Sequence, residues 1–276
     1  MKISFTKSVA VVVIFLLSCS SGRLTKQPEQ VKAEYLNCNI VGNGKMYASA
    51  FIQTAAEYRA LCYQAFNLAR LRLDQYLEAA GRPGKYAIVT DIDETLLSNS
   101  SYEVKNGLQG KSYSQETWYQ WTALGRSDTI PGALTFLTYA KSKGVDVFYV
   151  TNRDEVEREG TLKNLKKFGF PNADTSHLFL REKSSGKDSR RVRVSKTHDI
   201  VMLIGDNLAD FSSMFDKKSV GERSENVDKL RDEFGNIFIV IPNPVYGDWE
   251  SALFKYEKEL TQNQKDSIIK ASLKGF

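Results

Sequence analysis

Between residues 85 and 247 the chain alternates short, apolar, β-rich runs with stretches of helical punctuation, and this alternation constrains the fold most. Tyr86-Ala87-Ile88-Val89-Thr90 follows a Gly81-Arg82-Pro83-Gly84 stop and ends on Asp91. A run without polar alternation reads as a strand buried on both faces. Val145 to Val150, His177 to Leu180, Ile200 to Ile204 and Asn236 to Ile241 repeat the pattern. Between them, Pro131 can start a helix through about Lys143, with Gly144 as its stop. A second helix is expected from about Glu155 to Phe168, ended by Gly169 and Pro171, and Lys187 to Lys196 reads as a basic helix or turn. The pattern predicts an α/β, Rossmann-like parallel sheet with helices on both faces. Ligands of such sheets bind beyond the carboxyl ends of the strands. Asp91, Thr151 and Asp206 each fall at or just past such an end.

Helical segments flank this core. Phe51, Ala55, Tyr58, Cys62, Phe66, Ala69, Leu73 and Leu77 recur at steps of three or four, so residues 46–80 are expected to be helical, as are 248–274. The folded domain is expected to span 31–276, with 85–247 as its α/β core.

The N-terminus reads as an address. Lys2 and Lys7 precede an apolar run from Val9 to Leu17, too short for a stable span and of signal-peptide length. It ends in Leu16-Leu17-Ser18-Cys19, which resembles a bacterial lipobox, so 1–18 is expected to be a lipoprotein signal and Cys19 the lipidated residue. Residues 19–30 are polar and read as a tether. Ser20 follows the cysteine and no aspartate retention signal does, so outer-membrane sorting in the bacterial envelope is expected. The formal charge of +5 includes those two lysines, leaving +3 on the remainder. That balance argues against binding of nucleic-acid polymers and suits small anionic substrates. Cys38 and Cys62 could be joined outside the cytoplasm or remain two separate thiols. With His177 and His198 as the sole histidines, the sequence argues against a histidine-rich metal site.

The chemistry concentrates in Asp91-Ile92-Asp93-Glu94-Thr95-Leu96. Two carboxylates two residues apart, past a buried strand, are costly unless paired or bound to a cation. One can attack phosphorus and the other can pass a proton to the leaving oxygen. Alone, the string would also fit a solvated acidic turn. Val150-Thr151-Asn152-Arg153 adds a hydroxyl at a second strand end, able with neighbouring amides to hold phosphoryl oxygens. Lys187, with Lys183 as its rival, offers a cation for the charge of a phosphoryl group in flight. Gly205-Asp206-Asn207-Leu208-Ala209-Asp210 brings two more acids. Oxygen donors of this kind suit Mg²⁺.

In this order, Asp91-x-Asp93-x-Thr95, Thr151, Lys187 and Gly205-Asp206-x₃-Asp210 resemble the four motifs of the haloacid dehalogenase superfamily. The likeness is greatest to its class C acid phosphatases of the outer-membrane lipoprotein e, 5′-nucleotidase type. Supporting segments include Ala56 to Leu61, Pro131-Gly132-Ala133-Leu134 and Pro244-Val245-Tyr246-Gly247-Asp248-Trp249-Glu250. The resemblance implies a Mg²⁺-dependent phosphomonoesterase with Asp91 as nucleophile and Asp93 as general acid/base. Thr151, Asn152 and Lys187 would bind the phosphate, and Asp91, Asp93, Asp206 and Asp210 would serve the metal, Asp210 as ligand or as an orienting neighbour. It also implies terminal helical segments packed together beside the sheet, and a homodimer. Among the aromatics near the motifs, Trp121, Tyr246 and Tyr102 are expected to stack a substrate ring, and Trp249 to be core. Mildly acidic pH is expected to favour the reaction, because the acid must carry its proton. The rival is a non-catalytic surface lipoprotein, a route that plant storage proteins related to this superfamily illustrate; there the nucleophile is replaced, whereas Asp91 is present here.

Overall fold

Strand β1 (Tyr86–Thr90) is the centre of the molecule and is buried along its whole length. Its side chains alternate between two cores: Tyr86 and Ile88 enter one, Ala87 and Val89 the other. A strand apolar on both faces must be covered on both faces. In the computed structural model, which describes residues 39–276, it pairs in parallel with β4 (Asp146–Val150) on one side and β6 (Asp199–Gly205) on the other. β5 (Leu178–Phe179) and β7 (Phe238–Val240) complete a five-stranded sheet of order β5-β4-β1-β6-β7, every pair parallel. The chain winds outward from β1 in both directions, which opens a crevice at the carboxyl ends of the middle strands. The expected α/β class therefore holds, and each predicted core strand is present. Cys19, the expected tether and Cys38 lie outside the described residues; Asn39–Phe276 form one unit.

The larger core lies under helices α2 (Ala56–Ala80), α5 (Ala133–Ser142) and α6 (Arg158–Phe168). α2 buries Tyr58, Cys62, Phe66, Ala69 and Leu73, at helical spacing, and each large apolar side chain contributes about 1.5–3 kcal/mol. Gly81 and Gly169 end α2 and α6 with φ of 60° and 81°, a left-handed conformation open to glycine at little cost. The opposite face is covered by α7 (Asp188–Ser195), through Val194, by Phe211 and Phe234, and by Leu230 at the end of α8 (Val220–Lys229).

Two expected helices are broken. The first is α1 (Ile40–Thr54) followed by α2, because Ala55 is extended at ψ 125°. α1 leaves the sheet to pack on α3 (Ser100–Leu108), where Gln53 donates to Ser100 Oγ at 3.0 Å, and one straight helix could not serve both surfaces. The C-terminal segment is likewise α9 (Asp248–Leu253) and α10 (Gln262–Ser272). Lys255 and Tyr256 take positive φ between them, and Thr261 with Gln264 forms a capping box that starts the second helix. α10 packs on α1, with Ile40 N–H donating to Asp266 at 3.2 Å, so the two terminal segments meet as expected. No helix among the described residues is long and apolar enough to cross a membrane.

Between Asp93 and Thr151 lies a small insertion. β2 (Leu97–Ser98) and β3 (Asp128–Thr129) pair antiparallel, and the chain between them forms α3 and α4 (Gln115–Leu124). This helical pair roofs one side of the crevice.

Candidate active site

The carboxyl ends of β1, β4 and β6 meet because those strands are neighbours, about 4.8 Å apart in the sheet. Asp91 follows β1, and its N–H donates to Ile204 O at 2.9 Å, which fixes the exit of the chain. Asp206 follows β6, and Asp210 closes the short turn beyond it. One carboxylate oxygen from each of Asp91, Asp206 and Asp210 lies within 4.8 Å of the others. A Cβ on Gly205 would stand 2.6 Å from Asp210 Cγ, so the Gly-Asp pair in the sequence is a packing requirement of this corner.

Lys187 is planted in this acidic group. Its ammonium pairs with Asp91, and with Asp210 at 2.6 Å, and the side chain is 5% exposed. Burial works against that charge, yet Asp210 and Asp91 hold the ammonium above its ordinary value. Lys183 is exposed, so Lys187 is the lysine at the site. One cation does not balance three carboxylates. Burial pushes Asp91 up to about 7, with Lys187 opposing and Asp210 and Asp93 adding to the shift. Asp206 is raised well above its ordinary value, by burial first and then by Asp210 and Asp91. Thr95 donates to one oxygen of Asp206 at 2.9 Å and Asn243 to the other at 2.8 Å. Asp210 is engaged on both oxygens, by Lys187 and by the N–H of Asn207 at 3.0 Å. A cluster of hard oxygen donors with surplus negative charge fits a divalent cation. Asp91, Asp206 and Asp210 each offer an oxygen to such an ion, and Asp91 and Asp210 also hold the lysine.

Thr151 is fully buried at the end of β4, with its hydroxyl oxygen accepting from Arg153 N–H at 3.2 Å. Asn152 is exposed to the cavity, and its carboxamide oxygen accepts from Arg190 at 2.8 Å. Arg190 is 1% exposed and also donates to the carbonyls of Thr151, Ser185 and Gly186, so it clamps the β4 end to the turn that presents Lys187. Asp93 is gripped by Arg153, whose Nη2 donates to Oδ1 at 2.7 Å and Nε to Oδ2 at 3.0 Å. Asn99 Nδ2 also donates to Asp93 Oδ1, at 2.8 Å. Glu94, buried and in the left-handed region at φ 56°, accepts from Asn99 and from the Tyr246 hydroxyl. Burial and the Asp93 charge push Glu94 up to about 8, while the Tyr246 hydrogen bond opposes them.

Of these groups, Asp91, Asp93, Thr151, Asn152, Arg153, Lys187, Asp206 and Asp210 line a cavity of about 440 Å³. Its far wall is Trp118 and Tyr113 from the insertion, Tyr246 from the loop after β7, and Lys45 with Glu250, paired at 3.4 Å. Of the expected stacking residues, Tyr246 is therefore at the cavity. Trp121 and Tyr102 instead line a neighbouring recess, and Trp118, three positions before Trp121 on α4, takes the place at the site. Trp249, expected as core, is 45% exposed. Cys62 is a buried free thiol. Sequence reasoning did not assign Arg153, Asn99, Glu94, Arg190 or Asn243, although Arg153 directly follows Thr151-Asn152 and Glu94 lies inside the acidic motif.

The fold and this site define a phosphatase. The sequence model of the haloacid dehalogenase superfamily, subfamily IIIB (acid phosphatase), matches residues 6–249, and the chain belongs to that family. Among solved structures it is similar to the class C acid phosphatase from Bacillus anthracis. The form with tungstate bound superposes with a TM-score of 0.82 at 42% identity, covering 87% of this chain and all of that one. Vegetative storage protein 1 of Arabidopsis thaliana is 24% identical over 219 residues, 75% of this chain and 71% of that protein. Acid phosphatase 1 of Solanum lycopersicum is 30% identical over 101 residues, 37% of this chain and 39% of that protein.

Proposed function

We propose that the chain is a Mg²⁺-dependent acid phosphatase that hydrolyses phosphomonoesters, nucleoside monophosphates among them, through an aspartyl-phosphate on Asp91. The observation that carries this reading is the arrangement around Asp91: a buried carboxylate at a strand end, paired with Lys187, beside further acids. Tungstate bound to the Bacillus relative supports it, since a tetrahedral oxyanion resembles phosphate in shape. Mg²⁺ held by Asp91 and Asp206, with the Asp93 carbonyl that the family resemblance adds, would supply charge that offsets the carboxylates and the phosphoryl oxygens.

Thr151, Asn152 and Lys187 receive the phosphoryl oxygens. An Asp91 oxygen attacks phosphorus from the side opposite the ester oxygen. The phosphorus–oxygen ester bond breaks, and the leaving oxygen keeps the electron pair and takes the proton of Asp93. Asp93 then accepts a proton from water as the water oxygen attacks the phosphoryl group. Inorganic phosphate leaves, and Asp91 is again a carboxylate. A nucleoside leaving group would lie against Trp118 and Tyr246, whose flat faces stack rings without reading their identity.

The test is phosphate release from 5′-AMP and an aryl phosphate at mildly acidic pH, with Mg²⁺ or EDTA, beside Asp91→Asn. Turnover that needs Mg²⁺ and vanishes in the variant supports the reading. A folded, Mg²⁺-loaded protein without turnover would shift weight to a binding or storage role, which the storage-protein name of the Arabidopsis relative keeps in view. Attachment to the bacterial envelope, at the outer membrane, through lipidated Cys19, and a homodimeric state, belong to the same proposal. They rest on the lipobox and the family resemblance.

A further inference from the structure

Asn99 is fully buried, and its side chain is committed on both ends. Its carboxamide oxygen accepts from Trp121 Nε1 at 2.8 Å and from Ser127 Oγ at 2.9 Å. Its Nδ2 donates to Asp93 Oδ1 at 2.8 Å and to Glu94 Oε2 at 3.1 Å. Its backbone N–H donates to Glu94 Oε1 at 2.5 Å. The chemistry of the partners fixes which way the amide faces. An indole N–H can only donate, so the atom opposite it is the oxygen, and the NH₂ must face the two carboxylates. Flipping the amide would set oxygen against Asp93 and Glu94 and NH₂ against the indole N–H, losing the bonds to Asp93, Glu94 and Trp121 together.

We infer that Asn99 is a positioning residue that aims the Asp93 carboxyl at the leaving oxygen, and that Trp121 and Ser127 hold its amide the right way round. The inference rests on the reading of Asp93 as proton donor. Asp93 Oδ1 accepts from both Asn99 and Arg153 Nη2, whereas Oδ2 accepts from Arg153 Nε alone. Oδ2 is therefore the less encumbered of the two oxygens and the one left to meet the leaving group. Trp121 acts from behind the site: its ring lines the neighbouring recess while its N–H reaches Asn99.

The leaving group separates positioning of an acid from general packing. A nitrophenolate departs with little help from a proton, whereas the alkoxide of 5′-AMP needs one. Steady-state kcat and KM would be measured on both esters for Asn99→Leu, Trp121→Phe, Ser127→Ala and Asp93→Asn, each checked by thermal melting. Trp121→Phe keeps an aromatic ring, smaller by the fused pyrrole, and removes the donor, so it tests the idea even if Asn99→Leu fails to fold. The expected result is a kcat/KM on 5′-AMP lowered about tenfold or more for Asn99→Leu and several-fold for Trp121→Phe, with that of the nitrophenyl ester far less affected, because kcat/KM reports the step that breaks the ester bond and not the later attack of water that both esters share. Asp93→Asn should show the same selectivity more strongly. If Asp93→Asn is selective while the Asn99 and Trp121 variants slow both esters equally, or neither, the positioning role is overturned and Asp93 keeps its own. If Asp93→Asn itself shows no selectivity, the proton-donor reading falls, and this inference with it.

Discussion

At the scale of single residues, the site is governed by acids that outnumber their counter-charges. Asp91 moves from an ordinary 3.8 up to about 7, and Glu94 from 4.5 to about 8, each chiefly by burial. An acid with a higher pKa in the folded chain binds a proton where the unfolded chain has lost it. The resulting stabilisation is complete below the unfolded pKa and is lost as pH rises through the folded one. Melting temperature in EDTA is therefore expected to fall between about pH 4 and pH 8. Asp91→Asn should flatten the curve, and Mg²⁺ should raise its upper end. A melting temperature that climbs over this range would contradict the charge balance drawn for the site. A second expectation concerns Asn243, which donates to Asp206. Asn243→Ala should weaken Mg²⁺ binding about 10–100-fold, read from calorimetry or the Mg²⁺ dependence of turnover. An unchanged Mg²⁺ response would remove Asn243 from the metal site. Asp91, Thr151, Asp206 and Asp210 are marked in the sequence by their immediate neighbours, whereas Lys187 stands level with Lys183 until the fold places it beside Asp91. Arg153 and Asn243 are not so marked, because their partners stand 60 and 37 positions away.

At the scale of elements, strands were read more truly than helices. A strand here is a short apolar run with few ways to be wrong, whereas helix ends answer to tertiary docking, as the break at Ala55 shows. Trp121 and Trp118 make the same point: three positions on one helix separate them, and the rotation of α4 decides which ring meets the cavity. That rotation is set in part by a close crossing of α4 and α6. A Cβ on Gly160 would overlap the Thr122 carbonyl oxygen and lie 2.9 Å from Ala123 Cα. Backbone cannot yield as a side-chain tip can, so Gly160→Ala should cost about 1–3 kcal/mol in urea unfolding. Because α4 carries Trp118, the KM for 5′-AMP should rise as well. A variant of wild-type stability would show that the crossing has room.

At the scale of the whole molecule, the described unit is closed by its two ends. α1 lies on α3 and α10, and Lys45 of α1 pairs with Glu250 of α9 at the cavity wall. The proposed lipid anchor precedes this unit, and the site as described is built from residues of the unit. Cys19→Ser is accordingly expected to move the protein from the membrane to the soluble fraction with turnover per molecule unchanged. Retention of the serine variant in membranes would sink the anchor assignment.

The residues around the cavity run from Lys45 to Ser251, almost the length of the unit. During synthesis the chain emerges N-terminus first, and domains fold as units. The Asp91–Asp93 pair is therefore made long before Tyr246 and Glu250 exist to close the space around it. A nascent chain carries the reactive carboxylates without a finished place for an ester to sit. The cavity is thus a property of the complete unit: a polypeptide ending before Tyr246 keeps the carboxylates and lacks the wall that Tyr246 and Glu250 form.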